Sequence, residues 1–356
     1  MTIEDLKAAA LEQGPTNPFA VSYLQLCQVS YLPAEQIPTA VTSLPPLNPG
    51  GSWQCVWGPA QDSDDTNLVF VATYYYGHGL PVFAATVVRG TDVENGDLWG
   101  VIKQIWEDLD VTNQVPLPWA PDNGALVAQG SLAALEIIQG LSSNGVSLQS
   151  FLTGYLSDPA NNRPVAIVTG HSLGGCLVTL VAPWLQYALA QSGVTNPMVP
   201  ASFAGPTAGN AAFAQYYDSC FRYFLRYYNL LDSVPCAWWN LESIDSIYEP
   251  CGSKTPDDVR ALILFWNALM TDANASYAQP ATNNAPLAGA CYDTSNWYDE
   301  LAYQHHTTTY MSLLGGVSVA GAAFRPQAVP RRGEEYSTPR EQFGRISDWK
   351  TVRRPT

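Results

Sequence analysis

Between Pro164 and Tyr217 the chain runs for 54 residues without one Asp, Glu, Lys or Arg. A stretch that offers water no charge over such a length has to be buried, so the fold is built around it. The stretch is not uniform. Pro164–Thr169 (PVAIVT) is a short apolar run without alternation, as expected of a strand covered on both faces. Leu173–Ala190 is long and apolar enough to suggest a membrane span, but Thr179, Pro183 and Gln186 interrupt it and no basic flank marks a cytoplasmic end. It reads as a core helix, and no transmembrane segment is expected. Val199–Ala204 supplies the next strand. Strand, helix and strand in succession predict an α/β fold, with a mostly parallel or mixed sheet flanked by helices.

The rest of the chain extends this pattern. Phe19–Tyr31 has helical spacing and opens after Asn17-Pro18, read as a cap with proline in the first turn. Asn67–Tyr76 and Pro81–Arg89 are β-branched and aromatic runs joined by Gly77-His78-Gly79, a hairpin signal. Asp97–Asp110 and Gln129–Leu141 read as helices, and Tyr223–Asn229 as a further strand. No internal repeat is visible. From residue 325 the chain turns Pro- and charge-rich with little periodicity, so we expect one domain over 1–324 and a basic polar tail over 325–356.

Charge narrows the possible partners. Charged residues make up 13% of the chain, half the usual share of roughly 25%. The net charge of −15 argues against a general nucleic-acid binder. The tail holds eight basic and four acidic residues, and the body holds eight basic and twenty-seven acidic ones. A tail of +4 on a body of −19 is suited to dock back along it or to reach an acidic partner. Seven cysteines without a CxxC pair predict neither a disulfide framework nor a zinc site, with an isolated bridge such as Cys236–Cys251 left open. Asp62, Asp64 and Asp65 lack the glycine and terminal glutamate of a calcium loop, and no cofactor is expected. Asn274-Ala-Ser276 is a formal glycosylation sequon of low information. The N-terminal MTIEDLKAAALEQ has no apolar core of a Sec leader, which leaves the cytoplasm or a leaderless route of export.

The chemistry concentrates at Gly170-His171-Ser172-Leu173-Gly174-Gly175. A buried strand runs into Gly-x-Ser-x-Gly and then into a helix. Such a turn holds the serine in a strained conformation, with glycines where side chains would clash as the helix packs back. It lifts the Ser172 hydroxyl clear of the sheet and sets the backbone N–H of Leu173 where it can stabilise an oxyanion. A serine nucleophile needs a base and a group to orient it. Of four histidines, His78 precedes the nucleophile and His171 lies within the elbow, so the base comes from the pair His305-His306. For the acid, Asp232 stands out among several candidates because it follows a strand, where open α/β sheets build their sites. Asp218 reads as a helix or turn residue.

Four blocks, in order, carry a resemblance to the class 3 lipases, the fungal-lipase-like branch of the α/β-hydrolases. They are Ala85–Thr91 ending in Arg-Gly-Thr, the elbow Gly170–Gly175, Ser202-Phe-Ala-Gly-Pro-Thr-Ala-Gly-Asn210, and Tyr228-Asn-Leu-Leu-Asp-Ser-Val-Pro235. Thr207 and Ala208 depart from the family's usual Arg-Val. The resemblance spans about residues 20–315 and implies an α/β-hydrolase fold, with Asp232 as the triad acid and Thr91 as the second oxyanion donor. It favours His305, five residues before Tyr310, as the base, with His306 as the alternative.

The resemblance further implies a lipid or other apolar ester as substrate, transient contact with a lipid interface, and an acyl-enzyme mechanism. A mobile lid often follows the first oxyanion block in this family. Here Asp97–Asp110 puts Trp99 and Trp106 on one helical face, as in an ordinary amphipathic helix packed on the core or, alternatively, a lid. Trp238 and Trp239, just beyond Val234-Pro235, line an acyl pocket or simply fill core. Phospholipase A1 and polyester hydrolase activity, or a catalytically silent lipase-like binding module, are the competing readings.

Overall fold

A computed structural model of the chain describes residues 2–12, 17–63, 65–91, 109–120, 123–292 and 296–319. In chain order the main elements are α1 (Ile3–Ala10), α2 (Ala20–Ser30), α3 (Ile37–Thr42), β1 (Ser52–Gln61), β2 (Leu68–Tyr76), β3 (Leu80–Val88), α4 (Gln129–Gly140) and α5 (Leu148–Ser157). They continue with β4 (Val165–His171), α6 (Leu173–Gln191), β5 (Met198–Phe203), α7 (Ala211–Cys220), β6 (Leu225–Asn229), α8 (Asp257–Ala273), β7 (Asn284–Leu287), α9 (Trp297–His305) and α10 (Thr307–Leu313). The tail from 325 and the proposed lid helix, apart from Leu109 and Asp110, lie outside the described residues.

The seven strands stand side by side in chain order. The first three form an antiparallel meander, turned between β2 and β3 by Gly77 and Gly79, both at positive φ. From β3 onward each strand runs parallel to its neighbour. Parallel neighbours need a crossover, and α6 makes the one between β4 and β5.

Why the central strands lack alternation is visible in how they bury. Along β4, Val165 and Ile167 enter a core shared with α1, α2 and α10, while Ala166 and Val168 enter a second core shared with α4 to α7. Successive side chains point to opposite faces, so a strand covered on both must be apolar throughout. α6 lies in the second core. Among the described residues it alone is long and apolar enough to cross a membrane, and 78% of its apolar window is buried inside the fold. A third cluster sits outside the sheet, built from Leu109, Val111, the segment after β6, α8 and α9.

Two expectations are corrected. Asn17 does not cap α2, which starts at Ala20; its Oδ1 instead accepts from Phe19 N, closing the turn that leads into the helix. Cys251 pairs with Cys291, not Cys236. The fold brings the two α-carbons to 5.5 Å across 40 residues of sequence, a proximity no local spacing reveals.

Candidate active site

β4 ends at His171 and α6 begins at Leu173, leaving Ser172 to turn the chain alone. Its φ of 58° and ψ of −127° lie where side-chain-bearing residues are strained. The turn is held by Ser172 N donating to Phe203 O at 3.0 Å. The glycines are needed because backbone comes too close for a Cβ. At Gly170 it would lie 2.4 Å from Gly174 O, and at Gly174 it would lie 2.3 Å from Val88 O of β3. Neither obstacle is a side chain that can swing away. Gly174→Ala should therefore destabilise the protein by about 1–3 kcal/mol, read as a lower denaturant midpoint; an unchanged midpoint would mean that α6 has room to shift.

Leu173 is the first residue of α6, where helix N–H groups lack intrahelical acceptors. Thr91 is half-buried and follows Gly90, whose own Cβ would meet His171 O at 2.4 Å and Tyr31 Oη at 2.5 Å. The chain at Gly90-Thr91 thus passes directly against the elbow.

β6 ends at Asn229, and a tight turn carries Asp232 into a buried position beyond it. One carboxylate oxygen, Oδ2, meets His305 Nδ1 at 2.8 Å and accepts from the Tyr310 hydroxyl at 2.7 Å. The other accepts from Val234 N at 3.0 Å. His305 Nε2 lies 2.8 Å from Ser172 Oγ. A carboxylate only accepts, so Nδ1 carries the ring proton and Nε2 faces the serine with its lone pair. Ser172, His305 and Asp232 are thereby joined in one hydrogen-bonded line.

The adjacent histidines divide because the helix breaks between them. His305 ends α9, whereas His306 is extended and is the N-cap of α10. His306 Nδ1 accepts from Thr308 N at 3.2 Å. Burial, then the nearby His305, pushes its pKa down to about 4, which keeps the ring neutral and able to accept at the helix N-terminus. His78 is exposed in the hairpin turn.

The other candidates scatter. Asp218 accepts from Ala281 N and Thr282 Oγ1, away from the serine's partners. Trp238 packs in the third core, edge-on to Trp266 at 5.7 Å. Trp239 is 46% exposed and donates through Nε1 to Pro235 O. Trp99 and Trp106 lie outside the described residues. Cys251, Cys291 and Glu300 bring metal-ligand atoms together, but the two sulfurs are spent on the disulfide. In the sequence Tyr310 marks only the spacing to the histidine pair, and its donation to Asp232 emerges from the fold. The contact of Tyr31 with His171, 140 residues away, likewise has no signal in the sequence.

Residues 86–239 match the family model described as lipase (class 3), a span that includes Thr91, Ser172 and Asp232 and stops before His305. No curated protein matches the chain. Among solved structures, the chain is similar to M37 lipase, with a TM-score of 0.69 and 26% identity over 85% of this chain and 93% of that one. It is also similar to a triacylglycerol lipase from Penicillium expansum, with a TM-score of 0.47 and 14% identity over 86% and 91% of the two chains. For the Rhizomucor miehei lipase–propeptide complex the TM-score is 0.42, with 23% identity over 61% and 62%.

Proposed function

We propose that this chain, a carboxylic ester hydrolase whose residues 86–239 match the class 3 lipase family model, cleaves acylglycerols or similar lipid esters through Ser172, His305 and Asp232. The observation that carries this reading is the line of two 2.8 Å hydrogen bonds from Ser172 Oγ through the His305 ring to Asp232.

Ser172 Oγ attacks the ester carbonyl carbon while His305 Nε2 takes its proton. Asp232 fixes the ring tautomer and stabilises the imidazolium. Tyr310 and Val234 N hold the carboxylate in turn, so it reaches the ring already oriented. The tetrahedral oxyanion is received by the backbone N–H groups of Leu173 and Thr91, worth about 3–4 kcal/mol each in comparable sites. The imidazolium returns its proton to the leaving alkoxide, and an alcohol departs from the acyl-enzyme. Water, deprotonated by His305, then attacks the acyl carbon; the acid leaves and Ser172 regains its proton. The charge-poor composition suits an apolar substrate better than a charged one.

The test is labelling with an activated phosphonate ester, followed by a substrate panel. The expected outcome is stoichiometric modification of Ser172 and faster turnover of acylglycerols than of phospholipids or polyester. Intact protein that takes up no phosphonate would instead be a silent binding module. Preferential cleavage of phospholipid at the first acyl position would reassign the substrate and leave the chemistry standing.

A further inference from the structure

His305 is the last residue of α9, so its carbonyl is among those that the helix leaves without an internal partner. Side chains from elsewhere reach the last three carbonyls of the helix, of which that of Tyr303 also accepts from His306 N at 3.3 Å. Thr309 Oγ1 of α10 donates to Tyr303 O, and Asn229 Nδ2 at the end of β6 donates to Gln304 O at 3.1 Å. His171 Nε2 meets His305 O at 2.9 Å. A carbonyl only accepts, so this nitrogen carries the proton of His171, and Nδ1 is left as an acceptor for the Tyr31 hydroxyl at 3.1 Å. Both nitrogens of a buried ring are thus used. Burial, then the nearby His305, holds His171 well below the ordinary imidazole pKa. A neutral ring 4.9 Å from that of His305 does not oppose the cation that forms there during turnover.

We propose that His171 is a positioning residue for the base, holding the His305 backbone through its carbonyl so that the His305 ring meets Ser172 at the proton-transfer distance. The proposal rests on the serine-hydrolase reading above. His171 and Ser172 are consecutive at one strand end, and they grip two different atoms of one residue: the carbonyl oxygen and Nε2. The nucleophile and its base are therefore registered through the backbone as well as through the reacting atoms.

The test is steady-state kinetics of the full chain on a soluble short-chain ester. His171→Leu keeps apolar bulk and removes the donor; it should lower kcat by about 100-fold, the scale of a 1 Å misplacement, with KM within about twofold. His171→Gln offers an N–H at similar reach and should recover about tenfold of that loss. In a His305→Ala background, adding His171→Leu should cost nothing further, because the position of an absent imidazole no longer matters. A residue needed only for folding would cost the same in both backgrounds. If His171→Leu does not fold, Tyr31→Phe removes only the hydroxyl that meets the ring at Nδ1 and the His171 carbonyl at 3.3 Å, and should lower kcat about fivefold. A kcat within threefold for His171→Leu, an equal loss in both backgrounds, or no change in the stand-in Tyr31→Phe would overturn the proposal. Wild-type labelling by the phosphonate separates the two claims: an unlabelled wild type brings down the hydrolase reading, whereas a labelled wild type with an unaffected His171→Leu brings down this one alone.

Discussion

Ser172→Ala should lower kcat for ester hydrolysis by about six orders of magnitude, the scale seen when a triad nucleophile is removed. What remains is the rate supplied by the oxyanion donors and by substrate binding, which the substitution leaves in place. Stability should change little. The strain at φ 58° arises from a Cβ in that backbone region, and alanine carries the same Cβ. The hydroxyl's partner, the His305 ring, keeps its bond to Asp232. The measurement is kcat on purified protein beside a thermal melt, with phosphonate uptake as an independent reading. Activity within tenfold of wild type in a folded variant would remove Ser172 from the mechanism and the proposed function with it.

His305→Ala should cost about 10⁵–10⁶-fold in kcat, since nucleophile and base act as one unit. His306→Ala should cost less than tenfold in kcat and about 1 kcal/mol of stability, the usual consequence of losing a helix N-cap. The contrast comes from the bonds each ring makes. His305 joins Ser172 and Asp232, while His306 holds Thr308 at the start of α10. Parallel kinetics and denaturation of the two variants would separate the effects. A His306→Ala variant that melts normally but has lost turnover would move the base by one residue and leave Ser172 and Asp232 in their roles.

Much of the architecture was legible because local periodicity records burial. The unalternated PVAIVT run foretold a strand covered on both faces, and the two cores that divide its side chains by parity are the reason it reads that way. The hairpin around Gly77 and Gly79 and the buried helix after Ser172 were readable for the same cause: turn chemistry and hydrophobic spacing are properties of neighbouring residues. The order of residues in the candidate site was readable too. A serine on an elbow, an aspartate after a later strand and a very small number of histidines leave few ways to assemble one site.

Other features depend on pairs of residues far apart in the chain. The disulfide between Cys251 and Cys291, the third core that covers the Asp232 loop, and the reach of Tyr31 to His171 each join segments with no shared local pattern. The clearest case is the histidine pair. As sequence, His305-His306 offers two imidazoles one residue apart, and only the spacing to Tyr310 in the family resemblance favours the first. The tertiary structure separates them by ending α9 between the two: the first keeps the helical direction toward Ser172, and the second turns away in extended backbone to start α10. At that end point the carbonyls of Tyr303, Gln304 and His305 are met by Thr309, Asn229 and His171, on three different elements. Residue types and their order were therefore determined by the sequence itself. Which imidazole faces the serine was decided only by packing, because a helix ends where partners for its last carbonyls are found.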